Sequence, residues 1–291
     1  MAGLRMILFD VSHGLCCFVR SPNGYLLLID CGMKELFSPV EYILSNDVAA
    51  AVPFNNQILA ELVVTHPHDD HISDISRLIQ RMPPAIIAGW IYNWEEIKTD
   101  DNGDYHNLDT YASFRSGYTG EVREFPDWGM TMSTSYRLSP GEAKGLDATK
   151  FVNNSSIPVL IQYLGWKILI GGDLEAKGWE ELLKRQEFRD AVRGTHIFVT
   201  SHHGHASGYW RGLYDAMGKP FVNLVSVTAR DENVDPGYSK PDRARGMQYD
   251  GETRYMLSTR QDGSLVLEIS PSGKATMYGN ALADNLLPIR S

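Results

Sequence analysis

The segment Thr65-His66-Pro67-His68-Asp69-Asp70-His71 constrains the fold of this chain more than any other. A short apolar run with β-branched residues, 61–65, precedes it. Apolar residues at helical spacing follow it as far as Met82, where Pro83-Pro84 stops the pattern. The sequence therefore predicts a strand, a loop and a helix. A loop held between a buried strand and a packed helix can direct several side chains to one point.

The residue types in this loop favour metal binding. We expect His66 and His68 to converge on one ion while Asp70 and His71 reach a second. Neutral imidazole and carboxylate suit zinc, manganese or iron in a catalytic site, whereas structural sites are richer in thiolates. A solvent-exposed histidine cluster poorly explains three histidines within six residues.

Composition indicates a globular protein with a sizeable core. Of 291 residues, 43% are hydrophobic and 22% are charged. The 27 basic and 36 acidic residues give a net charge of −9, which argues against an extended polyanion-binding surface but leaves room for a local basic groove. Cys16, Cys17 and Cys31 do not form a disulfide framework. With no signal-peptide pattern and no apolar run of the ~20 residues that cross a bilayer, we expect a cytoplasmic protein without membrane contact.

The order of predicted elements indicates an α/β protein. Strands are expected at 5–11, 16–20, 25–29, 61–65 and 85–90, and again at 157–163, 166–170, 196–200, 221–227, 265–270 and 275–278. The polar, aromatic-rich segment 91–132 is expected to be an insertion over the active site, or else a locally packed surface excursion. Residues 231–250 read as a loop and 281–291 as a tail. Both halves deliver candidate ligands from strand ends and neither carries a complete set. We therefore predict a single domain, 1–291, folded as a four-layer αβ/βα sandwich.

The candidate ligands also carry a family resemblance. The ordered series Asp30, His66-x-His68-x-Asp70-His71, Gly172-Asp173 and His202-His203-Gly204 resembles the motif set of the metallo-β-lactamase superfamily across most of the chain. Shorter stretches resemble the hydrolase domain of ComEC-type competence proteins, namely Phe9-Asp10-Val11-Ser12-His13-Gly14, Leu28-Ile29-Asp30-Cys31-Gly32, Asn153-Asn154-Ser155-Ser156, Leu169 to Leu174, Ser201 to Gly204 and Arg260-Gln261-Asp262-Gly263. This second resemblance implies a nuclease-like or phosphodiesterase-like activity.

The resemblance implies a role for each residue. His66 and His68 would bind one divalent ion, zinc or manganese, and Asp70 and His71 a second. Asp173 would bridge the two ions, and either His203 or His202 would complete the second sphere. Asp70 and Asp173 would be the catalytic carboxylates, while Asp30 would orient a ligand histidine. Two such ions, roughly 3.5–4 Å apart, can share a water molecule and generate a hydroxide nucleophile at neutral pH.

Two positions depart from the family pattern. A third histidine for the first ion normally comes from the region 130–155, but no histidine lies between His106 and His196. Asn153-Asn154 stands there instead, so the first site could be weak, completed by water, or filled only with substrate, and manganese becomes more plausible than tightly held zinc. His13 lies where the competence group tends to show Gly-Gln-Gly-Asp. It either approaches the metals or substrate or, as we prefer, is a turn histidine with a structural hydrogen bond.

The expected function is that of a dinuclear metal-dependent hydrolase. A phosphodiesterase or nuclease, acting on nucleic acid or a nucleotide-derived substrate through a metal-activated hydroxide, leads the alternatives. The net charge of −9 and the lack of extended basic runs favour a second possibility, hydrolysis of a lactone, thioester or β-lactam. The missing third histidine motivates a third, a non-catalytic sensor module that keeps the fold. The sequence gives no indication of protein partners.

Overall fold

The computed structural model describes residues 2–98, 105–120, 122, 124–228 and 233–279. The strands are β1 (Leu4–Leu8), β2 (Cys17–Arg20), β3 (Leu26–Ile29), β4 (Leu59–Val63), β5 (Pro84–Ala88), β6 (Thr131–Ser133), β7 (Val159–Tyr163), β8 (Trp166–Ile170), β9 (Ile197–Val199), β10 (Val222–Val225), β11 (Met247–Tyr249), β12 (Glu252–Arg254), β13 (Met256–Ser258), β14 (Leu265–Ile269) and β15 (Ala275–Tyr278). The helices are α1 (Pro39–Asn46), α2 (Asp69–Ile72), α3 (Ile75–Arg81), α4 (Trp94–Lys98), α5 (His106–Ser116), α6 (Pro140–Leu146), α7 (Phe151–Asn154), α8 (Ala176–Leu182), α9 (Gln186–Val192), α10 (Arg211–Met217) and α11 (Thr259–Asp262).

Two mixed sheets form the centre of the molecule. The first has the strand order β15-β14-β1-β2-β3-β4-β5, and the second has the order β13-β10-β9-β8-β7-β6. Within the first, β3, β4 and β5 run parallel. Within the second, β8, β9, β10 and β13 run parallel. The other pairs in both sheets are antiparallel, and β11 and β12 form a separate small hairpin.

Alternating side chains place the two sheets face to face with helices outside them. Met6 and Val19 of the first sheet share one core with Val199 of the second, while their neighbours Ile7 and Phe18 pack in a different core with residues of the helices. Each fully buried aliphatic or aromatic side chain of this kind contributes roughly 1.5–3 kcal/mol. The predicted four-layer αβ/βα sandwich is confirmed, and its parallel strands end at one shared edge, where ligands bind in open α/β sheets.

Several elements differ from the sequence prediction. The helix expected to run from the histidine loop to Met82 is two helices, α2 and α3, which meet at Ser73-Asp74. The buried Asp74 carboxylate accepts hydrogen bonds from Val40 N (3.2 Å) and Ser38 Oγ (2.5 Å), so it serves the N-terminus of α1. The predicted loop 231–250 includes β11, and β12 and β13 follow it. These strands have three residues each, too short for an alternating pattern to show.

The segment 91–132 contributes helix α5, which packs against α2 and α3 beside the histidine loop. Asn107 Nδ2 of α5 donates to Asp69 Oδ1 of α2 (2.8 Å). Part of the predicted insertion, residues 99–104, 121 and 123, lies outside the described residues, as does the predicted tail 281–291. The three cysteines are buried and unbridged. No helix in the described ranges is both long and apolar enough to span a membrane.

Candidate metal centre

The polar residues of the centre follow directly on parallel strands. Asp30 comes after β3, His66 after β4, Asp173 after β8 and His203 after β9. Asp30 and His203 have left-handed backbones, with φ of 56° and 53°. Such a conformation costs a residue with a side chain on the order of 1–3 kcal/mol and persists only where its surroundings enforce it, typically at functional sites. The loops at this edge are therefore shaped for a purpose other than stability.

The acidic and imidazole side chains form two donor groups, and in each group one ligand atom per residue lies within 4.8 Å of the others. The first group is His13, Asp70 and His203, and the second is His66, His71 and Asp173. The sequence paired these residues differently, because it assigned His71 to Asp70 and His66 to His68. The groups adjoin, since Asp70 Oδ2 lies 3.8 Å from His71 Nε2.

Asp173 lies between the two groups. Its Oδ1 is 3.2 Å from His71 Nε2, and its Oδ2 is 3.3 Å from His203 Nε2 and 3.7 Å from His66 Nε2. The side chain is 5% exposed, and its backbone N–H donates to Ser156 Oγ (3.1 Å). Although burial alone would raise the pKa of Asp173, the neighbouring imidazoles His203 and His71 hold it well below its ordinary value. An ionised carboxylate in this position can contact two ions at once.

Asp30 fixes the orientation of His71. Its Oδ2 lies 2.7 Å from His71 Nδ1, and its carboxylate also accepts hydrogen bonds from Thr65 N and Thr65 Oγ1, each at 2.7 Å. Nδ1 of His71 donates to this carboxylate, so Nε2 is turned toward Asp173. Burial lowers the pKa of His71, but the charges of Asp173, Asp70 and Asp30 outweigh it and raise that pKa well above the ordinary value. A metal ion would bind this imidazole only at a deprotonated nitrogen, so binding would release a proton to solvent.

His203 is held in the same way from the opposite sheet. Its Nδ1 donates to the carbonyl of Ser226 (3.2 Å), and its Nε2 lies 3.0 Å from Asp70 Oδ2. Burial lowers the pKa of His203, yet the charge of Asp173 raises it, with the net result about 10. Nε2 of both His203 and His71 is buried and makes no hydrogen bond within the part of the chain that the structure describes. Carboxylate oxygens lie 3.0 Å from His203 Nε2 and 3.2 Å from His71 Nε2, and a cation bound among them would satisfy both nitrogens. The donor set therefore fits divalent metal ions.

The structure distinguishes the two adjacent histidines. His202 Nδ1 is hydrogen-bonded to Ser207 Oγ (2.7 Å) and lies 3.6 Å from Glu175 Oε1. His202 thus belongs to neither donor group of the described residues, whereas His203 lies between Asp70 and Asp173.

The structure brings together the two histidines that the sequence assigned to the first ion, but no third donor of the described residues completes a group with His68. His68 Nδ1 lies 3.0 Å from His66 Nε2, the atom that His66 would offer to an ion, and His68 is in neither donor group of the described residues. Asn154 Oδ1, the oxygen that could bind an ion, already accepts from Gly178 N (3.1 Å). Asn153 Nδ2 donates to Glu175 Oε1 (3.4 Å).

Glu175 is a residue that sequence reasoning missed. Burial raises its pKa, and its carboxylate lies between Asn153 and His202 on the side where the third histidine is lacking. Its position two residues after Asp173, at the exit of β8, was the available signal.

His13 faces the centre. Its Nε2 lies 3.8 Å from Asp70 Oδ2, and its ring centroid is 4.2 Å from that of His203. The preferred sequence interpretation, a turn histidine with a structural role, did not anticipate this. Burial and the neighbouring His203 lower the pKa of His13, which favours the neutral imidazole.

Comparison with known proteins bears on the fold and the family. A model of the Metallo-beta-lactamase superfamily matches residues 10–215. The metallo-beta-lactamase fold protein YhfI from Bacillus subtilis is similar, with 13% identity, a TM-score of 0.41, and coverage of 78% of this chain and 87% of that one. Igni18, a metallo hydrolase from Ignicoccus hospitalis, shows 15% identity and a TM-score of 0.41, and the match covers 82% of this chain and 86% of Igni18. Zn²⁺-bound PqqB from Methylobacterium extorquens shows 11% identity and a TM-score of 0.44, and the match covers 80% of this chain and 90% of PqqB. No curated protein sequence matches the chain.

Proposed function

Because this chain belongs to the metallo-β-lactamase superfamily, which consists largely of metal-dependent hydrolases, we propose that it hydrolyses phosphodiesters with the help of two divalent ions, zinc or manganese. The substrate would be nucleic acid or a nucleotide-derived molecule. The observation that carries this proposal is the placement of Asp173, whose two carboxylate oxygens face different donor groups, one through His71 and the other through His203. A bridging carboxylate is what a pair of ions at short separation requires.

Ions bound there would supply Lewis acidity, lower the pKa of water toward about 7 and neutralise charge that develops on the substrate. The protein itself fixes the donors. Asp30 holds the His71 ring, and the Ser226 carbonyl holds the His203 ring, so that Nε2 of each points inward. Asp70 is 27% exposed while Asp173 is 5% exposed, so substrate would approach on the Asp70 side.

Two considerations are compatible with a phosphodiester substrate. A pair of ions can contact both the attacked centre and the leaving oxygen of an in-line displacement. The chain also lacks the third histidine of the first site, which favours an oxygen-preferring ion such as manganese. The short motifs around Asp10, Asp30 and Asn153, which resemble competence-type hydrolase domains, point in the same direction.

The charge distribution favours a second candidate, hydrolysis of a lactone, thioester or β-lactam. The net charge is −9, and two of the basic side chains are engaged with partners of their own. Lys34 Nζ lies 2.5 Å from Asp10 Oδ2, and Arg243 Nε donates to Tyr209 Oη (2.7 Å). These two side chains would therefore offer a polyanion little unpaired positive charge.

A substrate panel on metal-loaded protein tests the proposal. The purified chain, stripped with chelator and reloaded with Mn²⁺ or Zn²⁺, is assayed on DNA, RNA, cyclic nucleotides and an aryl phosphodiester, and in parallel on lactones, thioesters and a chromogenic β-lactam. We expect phosphodiester cleavage that Asp173→Asn abolishes. The matched control is Asp147→Asn, which removes a carboxylate that pairs with Lys177 at the surface. Cleavage of carbonyl substrates alone would support the second candidate, and binding of well under one ion per chain would support a non-catalytic module.

A further inference from the structure

We propose that His13 is a metal ligand, and that with Asp70 and His203 it forms the coordination sphere of the ion nearest the substrate opening. The turn after the first strand would thus add an imidazole to this ion, whereas the histidine missing from the region 130–155 would belong to the ion of His66 and His68. This inference rests on the proposed function in one respect, that the centre binds divalent ions.

The distances suit a shared ion. His13 Nε2 lies 3.8 Å from Asp70 Oδ2, which lies 3.0 Å from His203 Nε2, and one ligand atom of each residue is within 4.8 Å of the other two. Two ligands about 2.1 Å from the same ion are separated by roughly 3–4 Å, so a small inward movement of His13 suffices. Its side chain is 45% exposed, which leaves the ion open toward solvent and substrate.

The turn that carries His13 is built against Asp70. Leu15 N donates to Asp70 O (3.3 Å), and Ser12 N donates to Asp10 Oδ1 (3.2 Å). Gly14 has φ of 133°, and a Cβ at this position would lie 2.2 Å from Asp70 O. Only glycine allows the turn to approach the Asp70 backbone so closely. Gly14 therefore allows the turn to bring the imidazole of the preceding residue, His13, toward the Asp70 carboxylate.

One residue connects the turn to the other histidine. Ser226 Oγ donates to Gly14 O (2.6 Å), and the Ser226 carbonyl accepts from His203 Nδ1 (3.2 Å). The loop after β10 thus positions the His13 turn and the His203 ring together. A purely local turn histidine would not need its turn tied to the loop that orients a second imidazole. Such shared outer contacts are characteristic of metal ligands.

The test measures metal binding and does not depend on a known substrate. Dissociation constants for Co²⁺ and Mn²⁺ are determined by competition with a chelating dye for the wild type, His13→Ala, His13→Gln and His13→Glu. The visible absorption of bound Co²⁺ reports coordination number. The control is His205→Ala, which removes an imidazole 5.8 Å from the His13 ring that is in neither donor group of the described residues.

We expect His13→Ala and His13→Gln to raise the dissociation constant of one ion at least about tenfold and to alter the Co²⁺ spectrum, because a direct ligand should matter at least as much as an outer contact. His13→Glu should recover Mn²⁺ binding, since it restores a ligand of similar reach, and His205→Ala should bind as the wild type does. Wild-type affinity and spectrum in the His13 variants would overturn the inference. So would weaker binding that Glu does not recover and that comes with a lower Tm of the metal-free variants, because that pattern indicates a structural role. A wild type that binds no ion would instead refute the proposed function.

Discussion

At the residue scale, Asp30 shows how one buried carboxylate prepares a metal ligand. It accepts three hydrogen bonds, two from Thr65 and one from His71, and it does so from a left-handed backbone. Burial raises the pKa of Asp30, and the hydrogen bonds from His71 and Thr65 oppose that rise. The residue thus retains an unfavourable backbone and an unfavourable environment. We infer that orienting the imidazole is what these costs serve.

Replacing Asp30 by Asn should therefore weaken metal binding by about 10–100-fold, because the ring of His71 would lose the acceptor that fixes its tautomer. The measurement is a chelator-competition dissociation constant for Mn²⁺ or Zn²⁺. Asp47→Asn is the matched control. It also alters a buried carboxylate, one that pairs with Arg5 at 2.7 Å, so it should lower stability and leave the affinity unchanged. Equal affinities in Asp30→Asn and the wild type would contradict the role of Asp30.

The adjacent pair His202 and His203 gives a second residue-scale prediction. His203→Ala should raise the dissociation constant of one ion by at least about 10-fold, because its Nε2 lies between Asp70 and Asp173. His202→Ala should change it less than about twofold, because that ring is hydrogen-bonded to Ser207. Isothermal titration of the metal-free proteins checks both. Equal losses in the two variants would show that the centre rearranges when it is loaded.

The sequence could identify ligand types but not every direction in which they point. Clustered histidines and carboxylates predicted a metal centre, and most of them do converge. The sequence left the choice between His202 and His203 open because the direction of each ring depends on contacts with residues distant in sequence. The backbone does not separate them either, since both have a positive φ, 51° and 53°. The two alternatives for His13, a residue near the metals or substrate and a structural turn histidine, stayed open for the same reason. Its approach depends on Gly14 lying against Asp70, which local pattern cannot show.

At the scale of elements, the loop between β8 and α8 must pass close to the loop after β4. Gly172 has φ of 55°, and a Cβ there would lie 2.9 Å from Thr65 Cβ. Gly172→Ala should lower the free energy of unfolding by about 2–4 kcal/mol, since overlap adds to backbone strain. Gly194→Ala, with φ of 73° and nothing within 4 Å, should cost only the strain of about 1–2 kcal/mol. Urea unfolding measures both, and equal losses would mean that the loops can separate freely.

Strand β4 carries an ionisable group in its interior. Glu61 is 3% exposed, and burial raises its pKa from 4.5 to about 7. Between those values the unfolded chain releases the proton while the folded chain keeps it, so stability is highest below the lower value and falls as the pH rises. The loss is about 3 kcal/mol once the pH exceeds 7.

Glu61→Gln should therefore be more stable than the wild type at pH 8 and nearly equal to it at pH 4.5. Thermal or urea unfolding across this range measures the difference. The exposed Glu180 on α8 supplies the control, because Glu180→Gln should leave the pH profile as it is in the wild type. A Glu61→Gln profile parallel to that of the wild type would show that this carboxylate titrates normally.

Elements were predictable where they are long and regularly patterned. The strand 166–170 was placed correctly from its apolar run, and the final hairpin was placed within a residue from its turn at Pro271-Ser272-Gly273. Helix α5 was missed because only Leu108, Tyr111 and Ala112 of its residues are buried. Which strands pair with each other was harder still to predict. Strand β14 pairs with β1 although more than 250 residues separate them in sequence, and no local pattern specifies this pairing.

At the scale of the whole molecule, neither half of the chain can build the centre alone. Asp30, His66, Asp70 and His71 come from loops of the first sheet, and Asp173 and His203 come from loops of the second. The sequence already indicated this, because the candidate ligands that follow the strands of either half do not make a complete set. Without a cation, the protonated imidazoles of His71 and His203 offset the carboxylates of Asp70 and Asp173, a task that a bound ion would take over. A bound ion would consequently connect the two sheets as well as supply chemistry.

Metal removal should therefore destabilise the fold. An ion that binds only the folded chain, present at 100 times its dissociation constant, adds about 2.7 kcal/mol to the free energy of unfolding. Adding chelator to the metal-loaded wild type should lower its Tm by several degrees, roughly the shift expected for that energy. Asp173→Asn should show little further change with chelator, because its bridge is already lost, whereas Asp147→Asn should respond as the wild type does. A wild-type Tm that does not depend on chelator would mean that the two sheets are held together without help from the centre, and the link between metal binding and the sandwich would fail.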